Sequence, residues 1–293
     1  MKTNLNIEPT LLNNKEAFND EFYNRFQLRH APTPLQLSAS VSKNYLFPTF
    51  YGDVTCAIGI FFCSHKKAQA LMPSPKIKPI SMGKGRSLVV FSNYIYRNVL
   101  GVIPYNEIAM TIPVMVDPLI SVPVLPMILP VFKSFGYYCF SMPVTSLENQ
   151  IRGEKIWGLP KVVQEINIEE TADYCQVEAK ESSGQTYYEL KVPKNGRPTN
   201  FDVSANLYSK RGHEFLQSAT YFKGNFNVVK HMGLLLKGPQ IPDQEYLKIH
   251  DTPSGKQLKE LNLEAHPFQL RFSSRMLSCF DLPNTSFKSG IKF

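Results

Sequence analysis

Lys161 and Glu107 are the residues of this chain whose types and surroundings point to chemistry. Lys161 stands in Gly153-Glu154-Lys155-Ile156-Trp157-Gly158-Leu159-Pro160-Lys161-Val162-Val163, with the only tryptophan four residues before it. A lysine set among Trp157, Leu159, Pro160, Val162 and Val163 faces desolvation, which disfavours the ammonium form and lowers the pKa. A lysine that is neutral near pH 7 attacks a ketone carbonyl and forms a Schiff base. The competing reading is a strand-start lysine that snorkels to water. Glu107 stands in Pro104-Tyr105-Asn106-Glu107-Ile108-Ala109-Met110-Thr111. If Tyr105 to Thr111 is a strand, Glu107 shares a face with Tyr105 and Ala109 and alternates with Ile108 and Met110. On that spacing it is either an acid beside a pocket or a solvent-facing carboxylate on a half-buried strand.

The elements that must position these two groups read as mostly extended. Val54 to Phe62 is β-branched and aromatic, Ser87 to Tyr96 and Tyr105 to Val116 follow as strands, and Lys66 to Leu71 reads as a short helix ended by Pro73. Tyr174 to Lys180 and Tyr187 to Val192 alternate with period two around Glu181-Ser182-Ser183-Gly184-Gln185, which marks a hairpin. Phe226 to Leu236 and Gln269 to Leu277 complete an antiparallel set. Further helix is expected only over Ser254 to Leu261 and within the N-terminal segment. The residues therefore predict an α+β class dominated by antiparallel sheet, closed or sandwiched. Residues 1–30 read as a lead-in and 31–293 as one domain, because nothing marks a linker.

Composition narrows the function classes. With 43% hydrophobic and 19% charged residues the chain has a globular balance, and 22 prolines with 12% aromatics favour a β-rich fold over a helical bundle. The net charge of +8 is spread thinly; Lys66-Lys67 and Lys210-Arg211 are its densest clusters, so nucleic acid is not the expected partner. An anionic small molecule suits the same charge. The five cysteines, Cys56, Cys63, Cys139, Cys175 and Cys279, are odd in number and show no metal-ligand spacing. They predict neither a disulfide framework nor structural zinc, and a reducing, cytoplasmic setting. Dinucleotide, phosphate-loop, nucleophile-elbow and zinc-protease motifs are all missing. Thr111 to Phe132 is apolar but carries Pro113, Pro118, Pro123, Pro126 and Pro130, which would break a spanning helix. It reads as extended chain over a pocket or an interface, with peripheral membrane contact a lesser expectation.

Glu154 to Val163, with Tyr105 to Val114 upstream, resembles the acetoacetate decarboxylase superfamily. Gly158-Leu159-Pro160-Lys161 matches the place where that family carries its Schiff-base lysine, and Tyr105-Asn106-Glu107 with Ile112-Pro113-Val114 resembles the strand carrying its active-site glutamate. The resemblance covers about residues 45–285. It implies a cone-like antiparallel β-barrel with an internal pocket, assembled as a homo-oligomer, with no metal and no organic cofactor. It makes Lys161 the nucleophile, Glu107 the acid/base or positioning group, and Ser92, Tyr105 and Trp157 pocket residues. Four departures stand against the family pattern. Val162 replaces a second lysine, and Glu154-Lys155 replaces Arg-Glu. Ser92 occupies the place of a further pocket glutamate, and Val54-Thr55-Cys56 offers no carboxylate-binding arginine.

The expectation is thus a Schiff-base-forming, decarboxylase-like lyase acting on a β-keto acid or related ketone. An aldolase-dehydratase using the same lysine is the alternative enzyme. A non-catalytic barrel binding an apolar ligand is the alternative from another class.

Overall fold

A computed structural model describes residues 2–10, 14–119, 122–129, 131–289 and 291. Its frame is a ring of seven strands. In chain order these are β1 (Thr49–Ser64), β2 (Arg86–Val99), β3 (Tyr105–Val116), β4 (Phe135–Val144), and, further on, Arg197–Arg211, Glu214–Lys230 and Pro267–Pro283. Between β4 and the last three come β5 (Lys161–Val163), β6 (Glu165–Glu170), β7 (Tyr174–Lys180) and β8 (Thr186–Pro193). The three late strands are therefore β9, β10 and, after the short β11 (Leu247–Ile249), β12. The ring runs β4-β9-β10-β12-β1-β2-β3 and closes where β3 pairs with β4. Its neighbours are antiparallel except β4 and β9, which run parallel, and β5 adds to β4 in parallel. Closure leaves the ring without a free edge.

Alternation sorts the side chains of each long strand. On β1, Cys56, Ile58 and Ile60 face inward to a cavity, while Ala57 and Phe61 face outward. On β2, Ser92, Tyr94 and Tyr96 face inward and Val89 and Phe91 outward; on β3, Glu107, Ala109 and Thr111 face inward and Ile108, Met110 and Ile112 outward. The outward set is covered by a second sheet, ordered β6-β7-β8-β11, which contributes Val177, Ala179, Tyr188 and Leu190. Gly59 permits that contact, since a Cβ there would lie 2.9 Å from Leu190 Cδ1. The protein is thus a closed, mainly antiparallel barrel with a covering sheet and three short α-helices among the described residues: α1 (His65–Ala70), α2 (Leu147–Trp157) and α3 (Pro253–Lys259).

Several expectations are corrected. Helix α2 was not anticipated, nor were β4 and β9. The strand expected over Phe226 to Leu236 is the end of β10, which stops at Lys230 and gives way to a 3-10 turn, Met232–Leu235. The N-terminal segment carries 3-10 turns, Lys15–Ala17 and Tyr23–Arg25. The strand expected over Tyr105 to Val116 is β3 with those bounds, and beyond it Leu125–Met127 forms a 3-10 turn rather than extended chain. Ile120, Ser121 and Pro130 lie outside the described residues. No helix among the described residues is long and apolar enough to cross a membrane.

Candidate active site

Helix α2 and the turn that ends it place Lys161. Ser146 caps the helix, its hydroxyl accepting from the Asn149 amide at 3.3 Å. Gly158 ends it in the left-handed region, φ 60°, where glycine carries no Cβ penalty. Pro160 then blocks further helix and the chain enters β5 at Lys161. The lysine folds back over the helix it has just left. Its stem runs across Gly153, where a Cβ would lie 2.6 Å from Lys161 Cε. The ammonium donates to Asn149 Oδ1, one turn before Gly153, and to Glu107 Oε2 at 2.5 Å.

Glu107 reaches this amine from β3, paired in register with Tyr94 of β2 and Val144 of β4. Both partners are buried, Lys161 at 8% exposure and Glu107 at 6%. Tyr96 donates to Glu107 Oε1 at 3.4 Å, and the Tyr105 ring lies 5.7 Å from Lys161 Nζ. Burial raises the phenol pKa of Tyr51 to about 12 and pushes those of Tyr94, Tyr96 and Tyr105 well above the usual phenol range. These four hydroxyls are therefore neutral, and able to donate, across the physiological range.

At Lys161 the electrostatic influences oppose one another. Burial disfavours the ammonium most strongly, Glu107 favours it, and the Arg152 cation disfavours it; the net pKa is lowered. Arg152 is 1% exposed, with its guanidinium 4.4 Å from the Tyr45 ring and Nη2 donating to Thr49 Oγ1 at 3.1 Å. Its Nε and Nη1 have no hydrogen-bond partner among the described residues. Behind it, Glu148 accepts from Lys43 Nζ at 2.7 Å and from Tyr45 Oη at 2.6 Å, all three side chains being buried.

The amine and the carboxylate open onto a cavity of about 220 Å³ inside the ring. Most of its wall is apolar, with Ile58, Val90, Phe201, Phe222, Met276 and Phe280 prominent. Arg271 of β12 also faces it. Ser92 and Trp157, expected as pocket residues, line this cavity with Lys161 and Glu107, while Tyr105 stands behind the lysine rather than in the wall. Sequence reading missed Asn149 and Arg152, which sit on a helix it did not find, and Tyr94, Tyr96 and Arg271. Of the latter three Arg271 carried a signal, since it stands between Leu270 and Phe272 in a strand. No cluster of three or more His, Cys, Asp or Glu able to hold a metal occurs among the described residues.

A seven-stranded closed barrel with a lysine and a glutamate meeting inside it defines a recognisable class. The model of the acetoacetate decarboxylase family matches residues 32–216, more than half of the chain, and the chain belongs to that family. Its structure is similar to that of an acetoacetate decarboxylase from Legionella pneumophila subsp. pneumophila str. Philadelphia 1, with a TM-score of 0.59 and 13% identity, covering 87% of this chain and 91% of that one. A second acetoacetate decarboxylase structure is similar with a TM-score of 0.53 at 13% identity, covering 80% and 87%. The enduracididine biosynthesis enzyme MppR, in complex with the condensation product of pyruvate and imidazole 4-carboxaldehyde, is similar with a TM-score of 0.52 at 12% identity, covering 86% and 97%. No curated protein sequence matches the chain.

Proposed function

We propose that the chain is an imine-forming lyase that acts on a β-keto acid or related ketone through Lys161. The observation that carries this reading is the Lys161 amine, enclosed at a cavity wall between Glu107 and Asn149 with its ammonium form disfavoured. The neutral amine adds to the substrate carbonyl carbon, and a proton passes from nitrogen to Glu107. Glu107 returns that proton to the alkoxide oxygen, giving the neutral carbinolamine; a second proton, taken up from solvent, goes to the hydroxyl, which leaves as water as the nitrogen lone pair forms the protonated imine. The protonated imine withdraws electrons, so the bond to the β-carboxylate breaks and carbon dioxide departs, leaving its electron pair in an enamine. The enamine carbon takes up a proton. Water then hydrolyses the imine, releasing the ketone and restoring the amine. Ser92 and Trp157 shape the substrate pocket in this reading.

Incubation with acetoacetate or pyruvate, reduction with borohydride and intact-mass measurement test it. The expected result is one adduct on the wild-type chain and none on Lys161→Ala. No adduct with any ketone tried, or an adduct that persists in Lys161→Ala, leaves a ligand-binding barrel as the better account.

The similarity to MppR favours a second reading, in which the same imine supports aldol condensation or dehydration of a keto acid. Carbon dioxide release separates the two, since the condensing enzyme keeps the carboxylate.

A further inference from the structure

Arg271 is a cation in the cavity that the imine steps do not use. It sits on β12 between Leu270 and Phe272, which face the outer core, so its own side chain faces in. The guanidinium lies 5.1 Å from the Phe201 ring. Nε and Nη2 both donate to one oxygen of Gln269, at 3.1 and 2.7 Å. Among the described residues no carboxylate pairs with it, nor with Arg152, whereas Lys43 has Glu148, Arg86 has Glu264 and Lys161 has Glu107; of the two unpaired guanidinium groups, Arg271 is the one that lines the cavity. The ionisable groups that act on it are Tyr137 and Cys56, and burial pulls its pKa down. A partly buried guanidinium without a counter-ion carries a desolvation cost, and one that faces a cavity can be relieved by a ligand anion.

Its position sets the geometry. Around the ring of seven, β12 is three strands from β3 through β1 and β2, and three from β4 through β10 and β9. Arg271 and Glu107 thus stand on opposite walls. Cross-strand register also offsets them. Arg271 pairs with Ile58, Ile58 with Ser92 and Ser92 with Ala109, whereas Glu107 pairs with Tyr94 and Tyr94 with Cys56. Two residues of offset are about 7 Å along a strand. Between the two polar stations the wall is mostly apolar, with Ile58, Phe222 and Met276, and Ser92 and Tyr94 are its polar exceptions on β2.

We propose that Arg271 is an anion-binding anchor at the far wall of this cavity, and that the substrate is a β-keto acid carrying a second, distal carboxylate joined to the reacting carbonyl by an apolar chain. The proposal rests on the imine reading of Lys161. The carboxylate next to the carbonyl leaves as carbon dioxide; the distal one stays on Arg271. The product class is then a methyl ketone with a terminal carboxylate.

Product analogues test this: the series 4-oxopentanoate to 8-oxononanoate against 2-alkanones of matched length, each trapped by borohydride on wild type, Arg271→Met and Arg271→Gln. On wild type, one of the longer acids is expected to half-saturate trapping at a concentration about tenfold or more below its alkanone, the size of a charge-assisted contact. In both variants that advantage disappears, with cooperative thermal unfolding as the check on folding. Trapping of alkanones without any preference for the acids, or a preference that survives in both variants, overturns the anchor and leaves the imine standing. If nothing is trapped the imine reading falls, and calorimetric binding of heptanoate decides the anchor alone. Binding that is lost in Arg271→Met supports the anchor; binding that is equal in the two proteins overturns it.

Discussion

At the scale of single residues, the question is what disfavours the ammonium form of Lys161, which has Val162 rather than a second lysine beside it. Burial comes first, and Arg152 adds to it from the same helix face that supplies Asn149. Formally, Lys43 and Arg152 balance Glu148 and Glu107, so a charged Lys161 would leave this buried set one positive. Only a neutral amine adds to a carbonyl, so imine trapping should rise with pH through the lowered Lys161 pKa. A neighbouring cation disfavours the ammonium, and its removal raises the pKa. Arg152→Gln is therefore expected to move the midpoint of the trapping-pH profile upward, on the order of one pH unit, and Arg152→Lys to move it back. A merely structural role for Arg152 would lower trapping equally at all pH values, and that outcome would remove it from the electrostatic account. Lys161 was legible in the sequence because its apolar neighbours are contiguous with it. Asn149 and Arg152 were not, because what makes them notable is the company that tertiary folding brings.

Among the elements, α2 carries the most. It was illegible for a physical reason: the residues it buries include Glu148, Asn149, Arg152 and Gly153, so it shows no apolar stripe of helical period. Its Gly153 is a seat for the lysine stem. On intrinsic helix propensity alone, Gly153→Ala should stabilise the protein by about 1 kcal/mol. Here the new Cβ would sit 2.6 Å from Lys161 Cε and 3.0 Å from Cγ, and the flexible lysine, not the backbone, is what must yield. The expected outcome is a stable protein, with a urea midpoint at or near wild type, whose lysine no longer meets Glu107 and Asn149. Borohydride trapping should then fall about tenfold or more, since a displacement near 1 Å costs up to a hundredfold in rate. Wild-type trapping in Gly153→Ala would show that the lysine finds its place without that seat.

Across the whole molecule, the barrel class was legible and its closure was not. Alternation on β7 and β8, with the β-branched and aromatic runs of β1 and β2 and the strand expected at β3, announced antiparallel sheet, and alternation along β1, β2 and β3 separates a ligand-facing wall from an outer core. The closing pairs join distant segments, β4 to β9 in parallel and β3 to β4 across the Pro-rich segment, and β9 is largely exposed, so no apolar pattern marked it. Closure leaves one end of the site to be sealed by the chain ahead of β1, where Lys43, Tyr45 and Phe47 meet Glu148 and Trp157 of α2. That seal hinges on an ion pair with both side chains at or below 1% exposure. Removing one partner of such a pair strands a buried charge, and here the second oxygen of Glu148 already lacks a partner among the described residues. Lys43→Ala is therefore expected to cost about 3–5 kcal/mol in urea unfolding at neutral pH, whereas Lys43→Met with Glu148→Leu, which removes both charges and keeps volume, should recover most of it. The single variant should also loosen α2 and lower trapping at Lys161, while the double variant restores the seal. A loss below about 1 kcal/mol, the range of an exposed ion pair, would mean that water reaches Glu148, and that this end of the barrel is open rather than sealed.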